Sequence, residues 1–147
     1  MKSNLKKLTQ ASTISLIAGY AGMVSAHDMS NQYLDIGAGK VDYYQVTCFN
    51  DGNGNAQRLD IQEHVDTVGG ATLSLQVLKG WTAKNTTDPV PGDSDYSPLK
   101  SVYGGNGVYH VLVDKKNWYP RQYDIRYHCM TSGNVHTGTL ISLKQNN

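Results

Sequence analysis

Histidine offers this chain its most versatile chemistry, and one histidine stands in an unusual place. In "VSAHDMS", positions 24 to 30, small residues of the kind a signal peptidase reads are followed at once by His27. Cleavage after Ala26 would make His27 the first residue of the mature chain, with its α-amine and imidazole free to grip one metal ion together. Such a bidentate nitrogen grip favours Cu(II) among the divalent ions. Asp28 and Met29 add a hard and a soft donor beside it, although neighbouring residues cannot all reach one ion.

His110 and His128 are the other candidate ligands. They stand in "GVYHVLV" and "YDIRYHC", joined by the polar "DKKNWYPRQ" with its Pro120. An antiparallel hairpin centred near Trp118 and Tyr119 would set the two rings opposite or one step diagonal. The expected metal set is therefore His27, His110 and His128, with copper as the ion. His64 alternates outward in an earlier strand, and His136 lies in the turn-rich "GNVHTGT". The plainer alternative is that all five histidines are ordinary solvated side chains.

Other chemistries are weaker. "NDGNGNAQRLD" places Asp51, Asn53 and Asn55 at alternate positions, a spacing that can wrap oxygens around Ca²⁺. The bidentate Glu is missing and Ala56 stands where the EF-hand turn wants Gly, while Asn-Gly and Asp-Gly are common hairpin residues, so a turn is expected. There is no Gly-x-Ser-x-Gly elbow, no flagged carboxylate pair and no phosphate-binding glycine loop. The expectation is a non-enzyme.

These residues must be positioned by strands, because helical periodicity is absent after residue 26 and two-residue alternation recurs. Tyr44, Val46 and Cys48 share one face; Leu59, Ile61 and Glu63 another; Leu73, Leu75 and Val77 a third; Tyr109, Val111 and Val113 a fourth; and Tyr123, Ile125, Tyr127 and Cys129 a fifth. Such half-apolar strands need a second sheet to cover them. His110, Arg126 and His128 then point outward. Pro89, Pro91 and Pro98 make the stretch from Lys84 to Ser101 a long surface connection, and "TLISLK" reads as a final strand.

The first 26 residues carry Lys2, Lys6 and Lys7 before a short, polar-interrupted apolar run, which reads as a cleaved secretory signal rather than a membrane anchor. Residues 27–147 then form one domain, exported to a periplasm or beyond the cell. Removing three of the 13 basic residues leaves 10 against 12 acidic ones, a net charge of −2 with no basic stripe for nucleic acid. Cys48 and Cys129, the only cysteines, are expected to pair in that oxidising setting, with a thiolate metal ligand as the alternative.

The spacing of Asp42, Tyr44, Gly107, Tyr109, Val111, Val113, Tyr123, Ile125 and Tyr127 resembles the bacterial pre-peptidase C-terminal domains over roughly residues 40–130. The resemblance implies a two-sheet antiparallel β-sandwich of jelly-roll type with an accessory or binding role. The chain departs from that pattern in its cysteine pair and in lacking an adjoining hydrolase module. An immunoglobulin-like sandwich is the alternative, since Tyr127 precedes Cys129 by two residues, though Trp81 stands near a strand end rather than mid-strand. Ten tyrosines against one phenylalanine suggest a contact surface for a protein, a glycan or a second copy, with Tyr43, Tyr96, Tyr103, Trp118 and Tyr119 as its candidates.

Overall fold

The computed structural model describes residues 27–69 and 72–147; the signal-peptide reading of residues 1–26 lies outside them. Those residues form nine strands and no helix: β1 His27–Leu34, β2 Val41–Phe49, β3 Arg58–Val65, β4 Ser74–Lys79, β5 Thr82–Thr86, β6 Lys100–Tyr103, β7 Gly107–Asp114, β8 Arg121–Met130 and β9 His136–Gln145. No helix among them is long and apolar enough to cross a membrane. All pairings are antiparallel, in the order β5-β4-β7-β2-β9-β8-β3-β6, with β1 added on β8.

The all-β expectation holds, with one refinement. The two faces are not separate sheets, because β9 belongs to both. Its first residues pair with β8, as Thr137 with Cys129 and His136 with Met130, and from Gly138 onward it pairs with β2. At the other end of the path, Thr86 Oγ1 at the close of β5 donates to Pro98 O just before β6, at 2.7 Å. The result is a flattened barrel, nearly closed.

The alternation argued from sequence is what fills it. Tyr44, Val46, Cys48, Leu59, Ile61, Leu75, Val77, Tyr109, Val111, Val113, Tyr123, Ile125 and Cys129 are all buried, and the Cys48–Cys129 disulfide ties β2 to β8 through the core. Burying a large aliphatic side chain is worth about 1.5–3 kcal/mol. The immunoglobulin-like alternative loses its anchor, since Trp81 lies fully in solvent on the β4–β5 turn instead of against the bridge. Inside the barrel, Tyr123 donates to Asp42 Oδ2 at 2.6 Å and its oxygen lies 2.7 Å from that of Tyr44. With Tyr123's proton committed to Asp42, Tyr44 donates in turn. Burial holds the Tyr44 hydroxyl up to about 12.

Two sequence expectations change, and one strand is new. The proposed hairpin of "GVYHVLV" with "YDIRYHC" does not form: β7 lies between β4 and β2, whereas β8 pairs with β1, β3 and β9. β7 takes β2 and β4 as its ladder neighbours instead, with Val111 opposite Tyr44 and Val113 opposite Leu75. The stretch from Lys84 to Ser101 is not wholly a connection, since β5 runs to Thr86 and β6 begins at Lys100. Finally, residues 27–34 form a strand of their own, which alternation in "HDMSNQYL" barely signals. A bulge explains why: Asn31 takes a positive φ of 59° and shifts the register between Met29 and Gln32. Its backbone N–H donates to Asp124 Oδ1 at 2.8 Å.

Glu63, on the inward face of β3, is fully buried and its Oε2 has no hydrogen-bond partner. Burial, with the carboxylates of Asp88 and Asp114 nearby, raises its pKa from 4.5 to about 8. A group whose folded pKa lies above its unfolded value stabilises fully at low pH and loses that contribution as pH rises through the folded value. Stability should therefore fall between about pH 4.5 and 8, by up to about 1.4 kcal/mol per pH unit from this group. Glu63→Gln should flatten that slope in urea melts taken at pH 5 and pH 8. Replacing both cysteines by alanine should cost about 4–5 kcal/mol, given the 81-residue separation they close, as read by the shift in urea midpoint.

Candidate metal centre

Three of the five histidines meet at the junction of β1, β8 and β9. Because β9 leaves β8 after pairing at Cys129 and Met130, the edge of β8 is open from Tyr127 backward, and β1 fills it with His27 opposite Tyr127. His27 therefore abuts His136, the first residue of β9. The two rings are 5.0 Å apart between centroids, His128 and His136 are 5.4 Å apart, and His27 stacks on Tyr127 at 5.9 Å. His136 is the middle member.

These distances suit a shared ion. Two imidazoles bonded to one metal at about 2.0–2.1 Å, with donor angles near 90–110°, have ring centres about 4.5–5.2 Å apart. The His27–His136 spacing falls inside that range, and the His128–His136 spacing lies just beyond it. Nε2 of His136 is buried without a hydrogen-bond partner. No hydrogen bond reaches the rings of His27 or His128 from any described residue either. An unpartnered buried polar atom costs about 1–3 kcal/mol, a penalty that a bound cation would remove.

Electrostatics agree with a set of neutral ligands. Burial lowers the pKa of His128, helped by the neighbouring His136 and His27. Burial lowers that of His136 as well, with His27 adding to it and Asp51 opposing it. Neutral imidazole is the form that coordinates a metal.

The first turn of β1 is clamped. Asp28 receives a bidentate pair of hydrogen bonds from Arg126, at 2.9 and 3.1 Å, and the ring of Tyr96 lies 3.9 Å from the Arg126 guanidinium carbon. Asp28 is thus held as an anchor and not as a ligand. Met29, the soft donor beside His27, packs against the core. At the far side, Thr137 Oγ1 donates to Gly54 O at 2.7 Å, and Thr139 Oγ1 accepts the N–H of Cys129 at 3.0 Å where the ladder to β8 ends.

His110, expected to join this group, does not. It lies on the outer face of the opposite sheet, opposite Gln45, with its Nδ1 2.6 Å from the hydroxyl of Tyr43. Gln45 Nε2 donates to the same hydroxyl at 2.8 Å. The replacement is His136, whose signal in the sequence was obscured by "GNVHTGT" reading as a turn. His64 is satisfied internally: Nδ1 lies 3.2 Å from Asp66, and Nε2 2.8 Å from Asp93 O. The carboxylates grouped around it are also engaged, Asp88 accepting from Val65 and Val90, and Asp124 from Asn31.

The calcium-like loop is occupied by its own turn. Asp51 Oδ1 accepts from the N–H of Asn53 at 3.2 Å, and Asn55 Oδ1 accepts from Asn106 at 2.9 Å. Of the aromatic candidates, Tyr96 covers Arg126, Tyr103 stands outward on β6 with Arg58 6.0 Å away, and Trp118 and Tyr119 are exposed at 64% and 68% in the β7–β8 loop. They sit on three separate segments. No protein-family model, no curated protein and no solved structure matches the chain.

The half-exposed Asp28–Arg126 pair should contribute little to global stability but much to the placement of His27. Arg126→Met is expected to change unfolding free energy by less than about 1 kcal/mol. Amide hydrogen exchange over residues 28–31 should nonetheless accelerate markedly. Unchanged protection there would mean that β8 pairing alone holds the strand.

Proposed function

We propose that the protein is an exported, non-catalytic binding domain that takes up copper(II) at His27, His128 and His136. The observation that carries this reading is the meeting of three imidazoles, one with a buried unpartnered nitrogen, at a place where no described residue offers them a hydrogen bond. Cleavage after Ala26 adds the α-amine of His27 and completes a nitrogen-rich set, for which Cu(II) outranks the other first-row divalent ions. The Cys48–Cys129 disulfide favours an oxidising compartment, and the likeness to pre-peptidase C-terminal domains favours an accessory role.

A ligand-binding surface is the second reading, and its support has moved from the loop aromatics to the outer face of the opposite sheet. There Val41, Tyr43, Leu78, Gly80, His110, Leu112 and Gln145 line an open groove of about 570 Å³. Its apolar floor and amide, phenol and imidazole rim suit a glycan or a protein segment.

The two readings separate by titration. Protein beginning at His27 should bind one Cu(II), and His128→Ala and His136→Ala should each weaken binding by about tenfold or more in competition titrations. His110→Ala should leave it unchanged. One extra residue before His27 should weaken it strongly. Equal affinity across all five proteins would remove the metal reading and leave the groove.

A further inference from the structure

We propose that Met130 supplies a thioether ligand to the same centre, so that the site holds Cu(I) as well as Cu(II). The inference rests on the metal reading and goes beyond it in naming the oxidation states the site serves.

Register places the residue. Met130 is the cross-strand partner of His136 and stands two residues beyond His128 on the same strand. Partners in an antiparallel pair share a face, and directly opposed Cβ atoms lie about 4.5–5.5 Å apart. Residues two apart along a strand share a face as well. Along β8 the buried positions are Arg121, Tyr123, Ile125, Tyr127 and Cys129, while His128 and Met130 are partly exposed. Met130, His128 and His136 therefore occupy one small outward patch, one from each corner of a cross-strand triangle.

Elimination strengthens the assignment. The chain has four methionines, and Met1 and Met23 belong to the segment outside the described residues. Met29 is spent on the core. The remaining one stands beside the histidine cluster. Asp28, the hard donor next to His27, is taken by Arg126. Of the other nearby carboxylates, Asp60 opposite His128 is held by Arg58, and Asp51, which acts on His136 electrostatically, accepts from Asn53 and Thr137; Met130 is the soft donor beside the imidazoles.

Such a donor set spans both oxidation states. Imidazole suits Cu(II), and thioether sulfur selects Cu(I). In the oxidised form the nitrogens suffice and the sulfur is a weak, distant contact. In the reduced form, where copper accepts fewer and softer donors, Met130 becomes a principal ligand. Its flexible, unbranched side chain can make that adjustment without moving the strand.

The experiment measures Cu(I) affinity by bicinchoninate competition and Cu(II) affinity by chelator competition, for the disulfide-bonded protein beginning at His27 and for its Met130→Leu variant. The expected result is a loss of about tenfold or more for Cu(I) in the variant, with Cu(II) affinity within about threefold. X-ray absorption of the unaltered protein loaded with Cu(I) should show a sulfur shell, a readout that does not depend on how the variant folds. Absence of that shell, or equal Cu(I) affinity in both proteins, would overturn the role of Met130 while leaving the histidine site intact. Failure of the unaltered protein to bind either ion would overturn the metal reading itself.

Discussion

The crossing of β9 from one face of the barrel to the other is the constraint from which the rest of the molecule follows. Gly138 marks the crossing point. A Cβ there would come within 2.5 Å of the Phe49 ring, so any other residue would have to push that ring aside for β9 to pass under it and pair with β2. Once β9 has left β8, the ladder is ended by a side chain, Thr139 Oγ1 taking the N–H of Cys129. The edge of β8 before that point must find another partner or stay unpaired, and β1 supplies it. A single topological event therefore closes the barrel and brings the start of β1 against the start of β9.

The interior shows why this arrangement is specified so firmly. Apolar side chains alone would tolerate a register slip of two residues, but the polar contacts inside would not. Tyr123 donates to Asp42 on β2, the other oxygen of Asp42 accepts the N–H of Asn147 at 2.9 Å, and Lys115 donates to the carbonyls of Asp35 and Tyr119. Each of these would become a buried unsatisfied group on slipping, at about 1–3 kcal/mol apiece. Glu63 is the exception, a buried carboxyl with one oxygen unpartnered, and it makes the fold's stability sensitive to pH where the other groups make it specific.

Much of this was legible in the amino-acid order, and the failures have definite causes. Two-residue alternation located β2, β3, β4, β7, β8 and the end of β9, and named most of the buried hydrophobic residues, because burial on one face is a local property of a strand; the buried polar positions such as Asp60 were not legible in it. The cysteine pair was legible for a similar reason: two half-cystines in one chain have a single way to join. Partner choice was not legible. Adjacency in sequence suggested that β7 pairs with β8, yet the strands are separated by the barrel interior, and Trp118 and Tyr119 cross its end rather than turn a hairpin. The same error placed His110 beside His128. His136 was overlooked because its immediate neighbours have turn propensity, while its position is fixed by Met130 on another strand.

The histidine cluster stands apart from the stability of the fold. Among the described residues, His27, His128 and His136 are outside the core cluster, form no ion pair and bridge no backbone groups, whereas His64 and His110 each satisfy a neighbour. A side chain retained for folding would carry such a task. The rings instead cluster where β1 and β9 share the edge of β8 end to end, and the surrounding polar groups are arranged to hold strands: Asp28 on Arg126, Thr137 on the Gly54 carbonyl, Thr139 on Cys129. Those contacts fix the three backbones and leave the imidazole nitrogens unclaimed. The residues that hold the strands and the three imidazoles are thus separate sets.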